Sequence, residues 1–353
     1  KITVRKQVQT QYPYLKNTVF RRSDAAIAEA VMADELRRRS SFVKRDLVKP
    51  DKFYFDPACD IDSTICFQDD VNSKVFERLK STPKFDASQW KDELSSQFRF
   101  IIGQHVIPLT QGGLHTIVLP RILKSEAILE FDASSYYPSI LRKIGRHPEA
   151  LLKTWISILN EMTDKRLAAK KCGNGTEADV YKIIINSVYG KLAEKHSINF
   201  DPNLQLSGVI NGQLFLLTLM EAFNRSGFEV IVANTDGLYI NAGKRIDEAI
   251  NIAKKWSAET GFELDNKYST IYVATSVNDY ALFSPKSGWF HKKGKFGPGK
   301  RTAPTIITDA VLEQICGNTE IPGYIGASKN ILEFLYSTSV KGDGVEVNQN
   351  GAQ

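Results

Sequence analysis

Cysteine is scarce in this chain. Cys59, Cys66, Cys172 and Cys316 are scattered through 353 residues, with no CxxC pair and no histidine at zinc-finger spacing. That excludes a disulfide framework or a zinc site as the organising device, and reduced structural thiols are expected. Apolar runs near the length that crosses a bilayer are also wanting, and Lys1-Ile2-Thr3-Val4-Arg5-Lys6 leads into no signal-peptide core. The expected compartment is cytosol-like, with no membrane partner. An initiating methionine is missing, so a cropped or processed piece of something larger is expected. Neither internal repeats nor low-complexity segments occur.

The length allows two or three substructures around a substantial core. Net charge is a modest +6, but it is unevenly spread. Residues 286–301 hold Lys286, Lys292, Lys293, Lys295, Lys300 and Arg301, interleaved with Trp289, Phe290, His291 and Phe296 and free of acids. Such a strip is either a solvated hairpin or a track for a nucleic-acid backbone.

Ser23 is placed to cap a helix through Ile27, Val31 and Leu36 that ends in Arg37-Arg38-Arg39, where positive charge suits a helix C-terminus. From Pro50 to Pro83 the chain is turn-rich and acidic (Asp56, Asp60, Asp62, Asp69, Asp70), which predicts a solvated connecting region. Gln111-Gly112-Gly113-Leu114-His115 carries a glycine pair, for a sharp turn or for close approach to a ligand. Apolar periodicity predicts a helix over 149–171, a break at Gly173-Asn174-Gly175 and a second helix over 176–195. If these two are antiparallel, Arg166, Lys170 and Lys182 converge. Three cations without acids between them repel one another unless an anion is present, and a triphosphate is a sensible one. A core helix over 212–225, a helix over 245–260, strands at 268–273 and 280–283, and a helix over 305–316 follow, before a frayed tail from Gly342.

Two stretches stand out. In Val230-Ile231-Val232-Ala233-Asn234-Thr235-Asp236-Gly237-Leu238-Tyr239-Ile240, strand-forming runs flank four residues of turn chemistry, which reads as a β-hairpin with Asp236 at its tip. Upstream, Ala127-Ile128-Leu129-Glu130-Phe131-Asp132 is another apolar strand ending on an aspartate. Two strand-end carboxylates can share one metal site.

Asp132-Ala133-Ser134-Ser135-Tyr136-Tyr137-Pro138-Ser139 resembles the D-x-x-S-L-Y-P-S motif of family B DNA polymerases. Lys182-Ile183-Ile184-Ile185-Asn186-Ser187-Val188-Tyr189-Gly190 matches that family's K-x-x-x-N-S-x-Y-G, and Asn234-Thr235-Asp236-Gly237 looks like its D-T-D-S. The order of the motifs, on a strand, a helix and a hairpin, is the family's order. Thr110-Gln111-Gly112-Gly113 also looks like the Y-x-G-G loop of phage members, so the resemblance covers residues 110–305 and is phage-like.

The resemblance implies an α+β polymerase right-hand fold with an antiparallel-sheet palm, short two-helix fingers and a partial thumb. The implied divisions are an N-terminal segment over 1–100, palm over 101–148 and 197–300, fingers over 149–196, and the start of a thumb over 301–353. The N-terminal segment would be the tail of an exonuclease domain or a template-side region. Asp132 and Asp236 would hold two Mg2+ ions, with Mn2+ as a substitute. Arg166, Lys170 and Lys182 would clamp the triphosphate of a dNTP, cradled by backbone amides around Ser135 and Tyr136. Tyr137 would press on the sugar and exclude a 2′-hydroxyl, while Asn186 and Tyr189 line the nascent base pair. Gly112, Gly113, Gly190, Thr235, Tyr280, Lys292, Lys293 and Lys295 would face primer–template DNA.

Departures from the family are Asn234 for the first Asp of the third motif, Gly237 for its Ser, Tyr136 for Leu and Asn278 where K-x-Y has Lys. No Asp-x-Glu occurs in residues 1–100, so proofreading is not expected here, which leaves room for a separate exonuclease or processivity subunit. Short spacing between the motifs argues against protein priming. The expected compartment is the host cytoplasm if the chain is phage-encoded. The alternative is a catalytically weakened nucleic-acid-binding or structural polymerase subunit, with Asn234 as its mark. An unrelated two-carboxylate phosphodiesterase or glycosidase leaves the Lys182 helix unexplained.

Overall fold

Helix α1 (Ile2–Gln11) precedes α2 (Asp24–Arg39), which starts where the Ser23 hydroxyl accepts the Ala26 amide at 3.2 Å. These are the first elements of a computed structural model that describes residues 2–297 and 304–335. The tail from Gly342, with Lys300 and Arg301 of the basic strip, lies outside the described residues. The arginines closing α2 pair with Asp34 and Glu35 of their own helix, and Arg39 also reaches Glu161 at 2.6 Å.

The expected solvated connector over 50–83 is corrected by the structure. Strand β1 (Tyr54–Phe55), helices α3 (Pro57–Asp60) and α4 (Asp70–Lys80), strand β2 (Phe85–Asp86) and helix α5 (Asp92–Ser95) wrap this region onto the main core. Phe53, Phe55, Ile61, Ile65, Phe67, Phe76 and Leu79 are buried there, and the Asp60 carboxylate is buried against Arg146. Several very short elements bury one or two residues apiece, so no single period shows in the sequence.

Strands β3 (Arg99–Ile102) and β4 (His105–Pro108) form a separate hairpin. The principal sheet is built from β5 (Leu114–His115), β6 (Arg121–Ala133), β7 (Glu229–Thr235), β8 (Gly237–Asn241), β9 (Leu264–Ser276), β10 (Asp279–Ser284) and β11 (Trp289–Lys293). Its seven strands run in the order β11-β10-β9-β6-β8-β7-β5, every neighbouring pair antiparallel. Helices α6 (Tyr136–Ile144), α7 (Thr154–Lys171), α8 (Gly175–Gly190), α9 (Pro202–Arg225), α10 (Ile246–Thr260), α11 (Thr305–Cys316) and α12 (Ile321–Ala327) complete the set.

Along β6 the side chains alternate. Ala127, Leu129, Phe131 and Ala133 enter the core shared with α9 and α10, while Ile128 joins a second cluster with Tyr239, Tyr272 and Tyr280. By the two-residue period of a strand, Glu130 and Asp132 therefore lie on the face away from α9. The pair α7 and α8 packs with α1 and α2 in a core of their own, around Val31, Met32, Trp155, Ile158, Val180 and Ile184.

Helix α9 begins well before the expected start. Asp201 caps it by accepting the Leu204 amide at 2.8 Å, and Pro202 occupies the first turn. Its 24 residues are long and apolar enough to cross a membrane, contrary to the expectation that no run approaches that length, yet most of the helix is buried inside the protein. Polar side chains at intervals along it hold the surrounding loops. Asn211 bonds the backbone at Asp60 and Asp62, Gln213 bonds Thr110 and Gly112, and Glu221 accepts the amides of Gln68 and Asp69.

Candidate active site

Register sets the two aspartates side by side. In the β6–β8 ladder Asp132 stands opposite Gly237, and in the β7–β8 hairpin Asn234 stands opposite the same glycine, which leaves Thr235 and Asp236 as the tip. A Cβ on Gly237 would sit 2.7 Å from the Phe131 carbonyl oxygen and 3.1 Å from Asp132 Oδ1, so only glycine lets the hairpin press against β6. Thr235 takes the left-handed conformation, at φ 59°, that turns the chain. A Cβ on Gly113 would meet the Thr235 side chain at 2.8 Å, whereas Gly112 and Gly190 have no chain atom within 4 Å of that position. Of the expected close-approach glycines, Gly113 thus braces the hairpin, and Gly112 and Gly190 face open space.

Asp132 and Asp236 line one cavity of about 610 Å³ with Ser134, Ser135, Tyr137, Arg166, Lys170, Asp179, Lys182, Asn186, Tyr189 and Asp265. The convergence of Arg166, Lys170 and Lys182 is found, but the expected absence of acids among them is corrected. Asp179 and Asp265 share the space, and Asp265 bonds Lys170 at 2.7 Å. Four carboxylates face three cationic groups. Burial, then the neighbouring charges of Asp236 and Glu130, push the Asp132 carboxyl up to about 6, and burial also raises Asp236. Arg166 is buried, its Nε and one terminal nitrogen without a partner, and the buried Ser135 hydroxyl is likewise unpaired at a left-handed residue of φ 53°. Carboxylates short of cations stand beside cations short of acceptors. Hard oxygen donors of this kind suit Mg2+ carried in with phosphate oxygens and water. Among the described residues no cluster of three or more His, Cys, Asp or Glu side chains forms a cage of its own.

Tyr136 turns its ring into the core, where its hydroxyl donates to the Gly212 carbonyl at 2.7 Å. Tyr137 stacks on Tyr189 with centroids 4.4 Å apart, and Tyr189 lies against Gly208, where a Cβ would be 2.8 Å from its ring.

A second cavity opens on the same two aspartates, lined also by His115, Glu130, Asn234, Asn278, Tyr280 and Lys293. Tyr280 is largely buried at its edge, its hydroxyl bonded to that of Tyr239 at 2.9 Å, which in turn donates to Glu130 at 2.9 Å. The Asn234 amide donates to Asn278 at 3.1 Å and to the Val277 carbonyl at 3.3 Å. The basic strip is not acid-free in space: Lys292 bonds Asp309 of α11, and Asp279 accepts the Lys295 amide at 2.8 Å. Lys293 faces this cavity, with its Nζ 5.5 Å from the Tyr280 ring centroid.

Sequence reasoning missed Glu130, Asp179, Asp265 and Lys267. One signal was available. Glu263, Asp265 and Lys267 alternate along a strand, and register pairs Asp265 with Asp132 and Lys267 with Glu130; Lys267 bonds Glu130 at 3.1 Å.

No protein-family model matches the chain. DNA polymerase II of Escherichia coli strain K12 is 26% identical over 168 residues, covering 38% of this chain and 22% of that protein. The structure of the family B DNA polymerase from the hyperthermophilic archaeon Pyrobaculum calidifontis matches with a TM-score of 0.53 at 14% identity, over 94% of this chain and 39% of that one. The chain thus spans well under half the length of either. The chain is thus similar in sequence, over part of its length, to a DNA polymerase and in fold, over nearly all of it, to a family B DNA polymerase, the family its motifs resemble.

Proposed function

We propose that the chain is the core of a template-directed DNA polymerase that transfers a nucleotide from dNTP to a primer 3′-hydroxyl. The observation that carries this reading is the shared cavity, in which Asp132 and Asp236 face Arg166, Lys170 and Lys182. In right-hand terms the principal sheet with α6, α9 and α10 is the palm, α7 and α8 are the fingers, and α11 and α12 begin a thumb. Asp132 and Asp236 would hold two Mg2+ ions, which would supply acidification of the primer hydroxyl and compensation of charge on the departing pyrophosphate.

The chain's own residues do the positioning. Arg166 and Lys182 bind phosphate oxygens, and the unpaired Ser135 hydroxyl and nearby amides complete the cradle. Tyr137, fixed by its stack on Tyr189, closes the space below the sugar and excludes a 2′-hydroxyl. Asn186 and Tyr189 meet the nascent base pair. The cavity at Tyr280 and Lys293 receives the primer end, and the Gly112–Gly113 loop lies along the DNA.

Primer extension by the full chain with Mg2+ or Mn2+ tests the reading. Asp132→Ala and Asp236→Ala should each lower kcat by more than the ~10- to 100-fold seen when a group behind a metal ligand is lost. Full activity in either variant would sink the assignment. A wild-type chain that binds duplex yet extends no primer with either metal would be a binding subunit instead.

A further inference from the structure

Lys170 already has a partner. Its Nζ donates to Asp265 Oδ2 at 2.7 Å and to Ser134 Oγ at 2.7 Å, and the Ser134 hydroxyl donates to the same Asp265 oxygen at 2.8 Å. Groups from α7, from the first residue after β6 and from β9 therefore close a triangle. The neighbouring residue repeats the tie: Lys171 bonds Glu263 at 3.0 Å, and the Glu263 carbonyl accepts the Ser134 amide at 2.9 Å. Consecutive lysines thus fasten the last turn of α7 to the sheet beside Asp132. Burial pushes the Asp265 carboxyl up, but the hydrogen bonds from Lys170 and Ser134 outweigh it and hold the group below the usual carboxylate range.

We propose that Asp265 is a positioning residue for the incoming nucleotide: it occupies Lys170 and pins the end of α7, and a triphosphate binds by displacing it. The proposal rests on the polymerase reading of the cavity. Two of the three N–H donors of Lys170 are already taken by Asp265 and Ser134, so the share of nucleotide affinity that Lys170 supplies is the difference between its contact to phosphate and its contact to Asp265. Displacement leaves Asp265 ionised among Asp132, Asp179 and Asp236, a cost that a ligand must offset with charge. A triphosphate does this better than a diphosphate or a monophosphate. The pair is half-exposed, with side-chain accessibilities of 35% and 56%, so the effect is modest.

The test compares wild type, Asp265→Asn, Lys170→Gln and the double variant, each as the full chain. The Kd of the correct dNTP is measured on a primer–template ended by a dideoxynucleotide, and amide hydrogen exchange is followed over residues 168–172 without nucleotide. Asp265→Asn should tighten dNTP binding about two- to fivefold, the range of an exposed ion pair. It should speed exchange at the end of α7 and should leave Kd unmoved in the Lys170→Gln background. An unaltered Kd, unaltered exchange, or weaker binding rescued by extra Mg2+ would overturn the proposal, the last by making Asp265 a group for the ions. A wild-type chain that binds no dNTP would overturn the polymerase reading, and the exchange result would then decide whether Asp265 pins α7.

Discussion

Asp132 is held in the fold under electrostatic tension. Its carboxyl titrates near 6, against 3.8 ordinarily, because burial and the charges of Asp236 and Glu130 disfavour ionisation. The folded chain therefore binds this proton more tightly than the unfolded chain. Stability from this group is full below about 4, falls as pH rises toward 6, and stays lost above it. In metal-free protein, Asp132→Asn should raise Tm at pH 8 by on the order of 2 °C and change it little at pH 3.5. Mg2+ should raise the Tm of wild type more than that of the variant. Thermal unfolding at the two pH values checks this, and a variant less stable at pH 8 would show that the carboxylate is not strained. The two aspartates could be read in sequence because each ends an apolar strand, a local pattern. Asp265 shows in sequence only as one of the alternating charges of a strand, because its nearness to Asp132 is a matter of cross-strand register between residues far apart in the chain.

Helix α9 shows what an element can do beyond filling a core. Gln213 is buried and makes three hydrogen bonds to the loop at Thr110–Gly112, two donated and one accepted, all between 2.8 and 2.9 Å. Gln213→Ala should cost about 1–3 kcal/mol, the usual penalty for stranding buried polar partners. It should also weaken primer–template binding while leaving the KM for dNTP near wild type, because the loop lies on the hairpin side of the aspartates. Chemical denaturation and DNA titration check the two parts; a raised dNTP KM with normal DNA affinity would place the loop elsewhere. The paired helices α7 and α8 were visible in sequence through periodicity and the Gly173-Asn174-Gly175 break. The start of α9 was signalled by Asp201-Pro202 and was missed because the apolar run after Gly212 dominates the window. The wrapped segment over 50–83 has no comparable signature, since its order comes from contacts to α9.

At the scale of the whole molecule, charge on paper and charge in space differ. The strip over 286–297 reads as uncompensated, yet Lys292 and Lys295 have acidic partners in Asp309 and Asp279. Lys293 faces the cavity beside the aspartates. Lys293→Gln should flatten the salt dependence of DNA binding by about 0.9 in log–log slope, as for one phosphate contact, while Lys292→Gln should change it far less. Slopes unchanged from wild type in both variants would assign both side chains to solvent.

The first two helices share their interior with α7 and α8, so Val8, Ile27 and Met32 belong to the same packed body as Trp155 and Val180. If nucleotide arrival tilts the cavity-lining pair, the amino-terminal arm is hauled along as rigid cargo, because the four helices share one interior. A dye on the outer surface of α2, remote from every reacting atom, would then sense substrate by travelling with it; a stationary dye during a productive turnover would mean that the pair does not swing.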